Sequence, residues 1–144
     1  MEKVFLDTNI IIYANDERDK SKQDKALQLI TDLMKNNTGT ISTQVLQEYA
    51  SVALRKLHQK YEIIIRQIKL LESFEVVRQS PEMIRRALEI MYSYKIGFWD
   101  SCIISNAEYA NCSVIYSEDL NGGQYYSGIK IVNPFRLSDN QLNY

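Results

Sequence analysis

Four acidic residues stand where short apolar runs give way to polar segments, and together they have the chemistry to bind a divalent cation. Asp7 follows a hydrophobic run near the start of the chain, Glu48 lies early in a helical pattern, Asp100 lies at the start of another, and Asp119 follows a β-like run. A carboxylate set between two apolar runs is expensive to bury unless something compensates it. Mg²⁺ and Mn²⁺ prefer oxygen ligands and retain waters for substrate phosphates. The four acids therefore predict a site for one of these ions, with each acid as a ligand.

Each acid also has an ordinary structural interpretation when it is taken alone. Asp7 suits the N-cap of a helix, and Glu48 suits a solvated helix face. Asp100 falls in line with the apolar stripe of its helix, although an N-cap role is open to it as well. Asp119 suits a turn, and Glu118 competes with it as a ligand, but we prefer Asp119 because it would project in the same direction as Ser117 if the strand runs on. The metal interpretation therefore depends on the four acids meeting at one edge of the fold.

The chain alternates short β-like runs with helical patterns, which is typical of an α/β fold with a parallel sheet between layers of helices. Five apolar runs are predicted as buried strands: Lys3–Leu6, Gly39–Ser42, Phe74–Val77, Ser113–Tyr116 and Ile129–Val132. Helices are predicted over Ile10–Ala14, from a capping box at Ser21–Asp24, over Val45–Leu57, over Tyr61–Leu71, from the cap and first turn Ser80–Pro81, and over Trp99–Ala110. The helix that begins at Pro81 is predicted to carry Ile84, Ala87, Leu88 and Met91 inward. The carboxyl ends of parallel strands line one rim, where sites in open α/β sheets usually lie, so all four acids map to the same rim.

Length and composition limit the class of protein. The chain has 144 residues, of which 45% are hydrophobic, enough for one domain with a substantial core. No apolar run approaches the roughly 20 residues that span a membrane, and Asp7 comes too early to leave a signal-peptide region. Cys102 and Cys112 are predicted to be small core residues, which suits a reducing cytosol. We therefore expect a cytoplasmic protein.

One stretch is basic, although the formal net charge is −1. Between residues 55 and 69 a single acid, Glu62, stands against five basic residues: Arg55, Lys56, Lys60, Arg66 and Lys69. A local basic patch can hold phosphates even on a neutral protein, and a solvated helix face is the alternative. These five residues are the candidates for contacts with a phosphate backbone.

The residue types exclude several other chemistries. His58 is the only histidine, which excludes a two-histidine acid–base ribonuclease, and we predict that it lies at the surface. His58, Cys102 and Cys112 lack the paired spacing of zinc ligands. The sequence contains no phosphate loop, dinucleotide fingerprint or Gly-x-Ser-x-Gly elbow. A receiver-like phosphotransferase would need a second acid close to Asp7 or a phosphoacceptor on a middle strand, and the sequence offers neither cleanly.

Four segments in order resemble the PIN-domain ribonucleases, and most closely the small VapC-type toxins of prokaryotic toxin–antitoxin pairs. The segments are FLDTNIIIY at residues 5–13, STQVLQEYASV at 42–52, GFWDSCIISNAEYANCSVIYSEDLNGGQ at 97–124 and GIKIVNPF at 128–135. The likeness covers nearly the whole chain. It implies one PIN-like domain over residues 1–135, a three-layer α/β/α sandwich with a central, mainly parallel sheet of about five strands. The tail over 136–144 lies beyond the likeness and has no assigned role.

The resemblance also implies roles for particular residues. The acidic constellation would be Asp7, Glu48, Asp100 and Asp119, with Asp7 and Asp100 as main metal ligands, Glu48 as a ligand or water-positioning base, and Asp119 as an outer or second-metal ligand. The supporting polar residues would be Thr8, Asn9 and Ser117. Trp99 is bulkier than the residue often found before the third acid, and we expect it to narrow the site entrance.

The activity that the resemblance implies is cleavage of RNA phosphodiester bonds by an endoribonuclease that uses one or two Mg²⁺ or Mn²⁺ ions. The products would carry 5′-phosphate and 3′-hydroxyl ends. A cognate antitoxin and a homodimer are implied partners. Two alternatives remain, namely a stand-alone RNA-processing nuclease and a non-catalytic RNA-binding module. The complete acid set argues against the second, because acids repel phosphate unless a cation serves catalysis.

Overall fold

The computed structural model describes residues 2–136 and shows six strands and six α-helices among them. The strands are β1 (Val4–Leu6), β2 (Gly39–Ser42), β3 (Glu75–Val77), β4 (Val114–Tyr116), β5 (Tyr125–Tyr126) and β6 (Ile129–Val132). The helices are α1 (Thr8–Ala14), α2 (Lys20–Asn36), α3 (Thr43–Arg55), α4 (Tyr61–Leu71), α5 (Pro81–Tyr94) and α6 (Phe98–Tyr109). A 3₁₀ turn at Pro134–Arg136 follows the last strand. Of the expected C-terminal tail, only Arg136 lies within the described residues.

The sheet has the strand order β3-β2-β1-β4-β6-β5, and every neighbouring pair is parallel except β5 with β6. The prediction of an α/β fold around a mainly parallel sheet is confirmed. From β1 the chain crosses to β2 on one side and later returns to β4 on the other. The carboxyl ends of β1 and β4 therefore border a topological switch point, where open α/β sheets form their sites.

The sheet has one strand more than the sequence indicated, because β5 has only two residues. Ser127 and Gly128 join β5 to β6, with φ angles of 51° and 79°. Two consecutive residues with positive φ form the tight hairpin turn that matches the twist of antiparallel strands. The pair Tyr125–Tyr126 is too short to show a strand period, and the Ser-Gly pair after it was the available signal.

Four helices differ from their predicted bounds, and the first of them, α1, begins at Thr8 instead of Ile10. The start of α2 is set by Asp19, whose carboxylate accepts the Lys22 amide at 3.1 Å, so the predicted capping box at Ser21 is wrong. The last residue of α3 is Arg55, and Leu57 lies beyond it, because the chain turns at His58 with a φ of 52°. The helix α6 is displaced by one residue toward the N-terminus. In contrast, α4 has the predicted bounds.

The buried face of α5 is also different from the one predicted. Ser80 caps the helix as expected, since its hydroxyl accepts the Met83 amide at 3.3 Å. The buried residues are Met83, Ala87 and Ile90, whereas Ile84 is 37% exposed and Leu88 is 47% exposed. Of the four residues predicted to face inward, only Ala87 is fully buried. Two overlapping apolar stripes are present on this helix, and the sequence pattern did not decide between them.

The core forms around β1, β2, β4 and β6 and the faces of the helices that cover them. Cys102 and Cys112 are buried free thiols, as predicted. Among residues 2–136, no helix combines the length and apolarity that a membrane crossing requires.

Candidate active site

Asp7 joins the end of β1 to the start of α1, and both of its carboxylate oxygens are held in place. Oδ1 accepts the Thr8 amide at 2.7 Å, which makes Asp7 the N-cap of α1, and Oδ2 accepts the Ser117 hydroxyl at 2.7 Å. The residue is only 6% exposed. The capping interpretation is therefore correct, and it does not compete with a site role, because a cap at a strand end fixes the carboxylate at the rim.

Burial raises the pKa of Asp7 to about 6. The hydrogen bonds from Ser117 and Thr8 act in the opposite direction, and the negative charges of Glu48 and Asp119 raise the pKa further. The charged form of Asp7 is thus unfavourable in this setting. A nearby cation would favour that form and return the pKa toward its ordinary value.

Asp100 lies in the first turn of α6, on the opposite side of the candidate site. Gly97 occupies the N-cap position, so the capping interpretation of Asp100 is wrong. Burial raises the pKa of the Asp100 carboxyl, and the negative charge of Asp119 adds to the effect. The helix N-terminus favours a carboxylate at this position, but burial and the neighbouring acid still leave the charge in need of a cation.

Glu118 and Asp119 have different hydrogen-bond partners, and this difference indicates which of the two acids can serve as a metal ligand. Lys22 Nζ donates to Glu118 Oε2 at 2.7 Å, and the Tyr13 hydroxyl donates to Glu118 Oε1 at 2.7 Å. Although burial opposes the effect, these bonds hold the pKa of Glu118 below its ordinary value. Asp119 instead accepts Asn9 Nδ2 at 3.1 Å. Glu118 is therefore compensated by the protein, and Asp119 is the acid left to the site.

Gln44 is a site residue that the sequence reasoning missed. It lies one helical turn before Glu48 on α3, and its side-chain amide donates to Glu48 Oε1 at 2.6 Å and to the Trp99 carbonyl at 3.3 Å. The side chain thereby links the helix of Glu48 to the helix of Asp100. Its own oxygen, Gln44 Oε1, is buried and has no hydrogen-bond partner within residues 2–136. The i, i+4 spacing of Gln44 and Glu48 was the available signal.

All four acids line one cavity of about 120 Å³. The lining residues are Asp7, Thr8, Asn9, Ile12, Gln44, Glu48, Val52, Trp99, Asp100, Ile103 and Asp119. No Lys, Arg or His is among these residues, although only the described part of the chain can contribute. Of the supporting polar residues, Thr8 and Asn9 line the cavity, whereas Ser117 lies behind Asp7. The structure therefore brings the predicted acids together, and their binding of a metal stays a prediction.

The donors suit a hydrated divalent cation better than an ion enclosed by protein ligands. Within residues 2–136, no three or more His, Cys, Asp or Glu side chains are arranged so that they could hold a metal ion between them. Mg²⁺ usually keeps several waters and uses one or two carboxylates together with substrate phosphates. Thr8 Oγ1 and Gln44 Oε1, which lack partners in the described part of the chain, belong to residues of the cavity wall but are themselves buried from solvent.

All five predicted basic residues are exposed, two of them line a groove, and their contact with RNA stays a prediction. Lys56 and Lys60 line a groove of about 700 Å³, together with Asn15, Asp16, Glu17, Arg18, Leu57, His58, Gln59 and Ile63. Arg55, Arg66 and Lys69 are exposed but are not among the groove residues. His58 is exposed, as predicted.

This groove lies at the far end of α1 and α3, two of the helices that border the cavity. On α3, Glu48 and Val52 line the cavity, and Lys56 continues the same four-residue spacing into the groove. On α1, Ile12 lines the cavity and Asn15 lines the groove. Gln59 Nε2 donates to Asn15 Oδ1 at 3.1 Å, which ties the α3–α4 loop to the end of α1.

Comparison with known proteins places this geometry in a family. The family model described as PIN domain matches residues 4–124. A comparison with curated protein sequences returns no match. Three solved structures are similar over most of the chain, with TM-scores of 0.69, 0.68 and 0.63.

The first of these structures is a toxin–antitoxin complex from Klebsiella pneumoniae, 20% identical, with 92% of this chain and 98% of the other covered. The second is VapC20 of Mycobacterium tuberculosis, described as a toxin that cleaves the sarcin–ricin loop, 18% identical, with 81% and 90% covered. The third is VapBC2 of Rickettsia felis bound to a DNA fragment from its promoter, 25% identical, with 89% and 96% covered.

Proposed function

Because the chain belongs to the PIN domain family, we propose that it is a divalent-metal-dependent endoribonuclease and the toxin of a toxin–antitoxin pair. The observation that carries the proposal is the cavity itself. Carboxylates that follow β1 and β4 and lie on α3 and α6 line one small space that has no basic residue among its described lining. The structural neighbours support the proposal, since they include an RNA-cleaving toxin and two toxin–antitoxin complexes.

The four acids differ in burial and in hydrogen-bond partners, and we assign each a role on that basis. Asp7, rigid and buried, and Asp100, at a helix N-terminus, would hold Mg²⁺ or Mn²⁺. Glu48, oriented by Gln44, would position the attacking water or complete the ligand set, and the more exposed Asp119 would act as an outer ligand. When bound, the ion would supply Lewis acidity for the water and for the scissile phosphate. The expected products have 5′-phosphate and 3′-hydroxyl ends.

The partners and setting follow from the same proposal. An antitoxin would block the acidic cavity, and the toxin would act as a homodimer in the cytoplasm. The absence of a membrane-crossing helix from residues 2–136 is compatible with that setting.

The first experiment is cleavage of total RNA and of transfer RNA by purified protein in Mg²⁺, in Mn²⁺ and in EDTA. We expect discrete fragments that depend on the metal and disappear in Asp7→Asn and Asp100→Asn. The loss should exceed the roughly 10- to 100-fold that removal of an outer-shell partner costs. Asp24→Asn is the matched control, because Asp24 is an exposed acid on α2 whose ion pair with Lys20 lies outside the cavity.

Wild-type cleavage in both Asp7→Asn and Asp100→Asn would show that the acids are not the metal ligands. RNA binding without cleavage by metal-loaded protein would favour the non-catalytic module. Cleavage that no co-expressed antitoxin inhibits would favour a stand-alone processing nuclease.

A further inference from the structure

Trp99 stands at the wall of the acidic cavity and is largely open to solvent. It is the single tryptophan of the chain, the second residue of α6, and the residue directly before Asp100. It lines the cavity with the four acids, and 66% of its surface is exposed. An indole in this position is available to whatever enters the cavity.

The surroundings of Trp99 hold its backbone and one side of its ring. Its carbonyl accepts the Gln44 side-chain amide at 3.3 Å, which fixes the start of α6 against α3. The Phe98 ring packs against the indole edge-on, with centroids 5.2 Å apart and planes at 71°. An aromatic ring supported in this way loses little conformational freedom when a flat ligand covers its open face.

Building on the proposed function, we propose that Trp99 is the stacking platform for an unpaired nucleobase beside the scissile phosphate. A phosphate that reaches Asp100 brings an attached base to the neighbouring residue. The acids of the cavity repel the phosphate backbone wherever no cation offsets them, and an uncharged ring at the cavity wall would add attraction that does not depend on charge. Stacking of bases on aromatic side chains is a common source of such attraction in RNA recognition and tolerates any base.

The proposal has a consequence for the class of substrate. A base can cover the indole only when it is free of its neighbours in the RNA, so the site selects single strands, loops or bulges over continuous duplex. Trp99 would then determine which RNA structures are cut, whereas the acids determine that cutting occurs.

A single exposed aromatic residue is common on protein surfaces, and α6 itself provides the comparison. Tyr109 ends the same helix, is likewise 66% exposed, and is not among the cavity residues. If Trp99 were only a surface residue, its replacement would resemble that of Tyr109.

Binding is measured in the Asp7→Asn background, in Mg²⁺, with a short unpaired RNA of mixed sequence and with the blunt duplex of the same sequence. Because Trp99 is the only tryptophan, its fluorescence reports contact directly, and the anisotropy of a labelled RNA reports binding. We expect the unpaired RNA to change the tryptophan emission and the duplex to change it far less. Trp99→Ala should weaken binding of the unpaired RNA by roughly 5- to 150-fold, Trp99→Phe should restore most of it, and Tyr109→Ala should have no effect.

Cleavage of the same unpaired RNA with Asp7 intact gives the second readout. Trp99→Ala should raise KM and leave kcat nearly unchanged, because the acids are untouched. The stacking role would be overturned, and the nuclease left in place, if RNA bound and was cut without a change in tryptophan fluorescence. The Trp99→Ala and Tyr109→Ala variants would then bind and cut the RNA equally well. A fluorescence change on RNA binding without any cleavage would support the stacking role and overturn the proposed function. Failure of every RNA to bind would overturn both.

Discussion

At the scale of the residue, Asp7 shows that hydrogen bonds from the protein do not fully compensate a negative charge in the cavity, so that a cation from outside would stabilise it. Its carboxylate receives two short hydrogen bonds, yet burial still raises its pKa from the ordinary range of an aspartate to about 6. Two neutral donors therefore do not offset the loss of water around the charge. The remaining cost is present whenever the site is ionised without a cation.

This cost predicts a pH-dependent difference in stability between the wild type and Asp7→Asn in EDTA. A carboxyl group with a higher pKa in the folded state binds its proton more tightly there, so the unfolding free energy falls as the pH rises from about 4 to about 6. Relative to Asp7→Asn, the wild type should lose up to about 3 kcal/mol over that range. Urea unfolding at several pH values measures it. Asp7→Asn also changes the contact with Ser117, which shifts the variant's unfolding free energy by a similar amount at every pH and adds no slope. Parallel plots of unfolding free energy against pH for the two proteins would contradict the raised pKa.

Sequence reasoning located the four acids but could not assign their partners. Asp7, Asp100 and Asp119 follow strands or begin helices, and parallel topology alone brings such positions together. The sequence favoured Asp119 over Glu118 because of its alternation with Ser117, but the partners that hold Glu118, Lys22 and Tyr13, lie about a hundred residues earlier in the chain. No local pattern encodes an interaction over that separation.

At the scale of the element, two helices hold the loop that carries Asp119. Tyr13 on α1 and Lys22 on α2 both bind Glu118, and the Lys22 ammonium lies 4.6 Å from the centre of the Tyr13 ring. The backbone amide of Glu118 donates to Asn9 Oδ1 at 3.2 Å. Asp119 is thus held in place through Glu118, its neighbour in sequence, whose side chain binds the helices instead of facing the cavity.

We therefore predict that Lys22→Met keeps the fold but impairs the use of metal. Without the ammonium, Glu118 loses its charged partner and keeps the Tyr13 hydroxyl, so the carboxylate and the loop that carries Asp119 are held less firmly. The Mg²⁺ concentration for half-maximal cleavage should rise by about 10- to 100-fold, the range seen when outer-shell partners are lost. A Mg²⁺ titration of the cleavage rate measures this change.

Lys20→Met is the control for that titration, because Lys20 lies on the same helix and its contacts, an exposed ion pair with Asp24 and a 3.5 Å hydrogen bond to Gln23, do not involve Glu118. Thermal unfolding of both variants separates a stability loss from a change in metal use. Identical Mg²⁺ curves for Lys22→Met and Lys20→Met would show that the Glu118 contacts do not position Asp119.

The elements themselves were predictable where one signal dominated and were not where two competed. The bounds of α4 and the cap of α5 at Ser80 follow from local residues. The buried face of α5 does not, because stripes through Met83 and through Ile84 are both apolar, and packing against α6 decides between them. The strand β5 depends on its pairing with β6, and a segment of two residues is too short to predict that pairing.

At the scale of the whole molecule, the proposed RNA substrate is a polyanion, whereas the protein has a net charge of −1 and an acidic cavity. The groove at the far end of α1 and α3 offers Lys56 and Lys60, together with Arg18, whose guanidinium is already bound to Asp16 at 2.8 Å. Lys56 follows the last residue of α3 at the four-residue spacing of Glu48 and Val52, and Lys60 precedes α4. A strand of RNA held at the acids and extended along these helices would meet them.

This geometry predicts that Lys56→Gln with Lys60→Gln weakens RNA binding more than Arg66→Gln with Lys69→Gln. Each double variant removes two positive charges, but only the first pair lines the groove. For a single strand, each lost phosphate contact should reduce the slope of log K against log salt by about 0.7, so the groove variant should lose about 1.4 and the α4 variant little. Anisotropy titrations over a range of salt concentrations measure both slopes. Equal slopes in the two variants would mean that RNA responds to net charge alone, and would remove the groove from the path of the substrate.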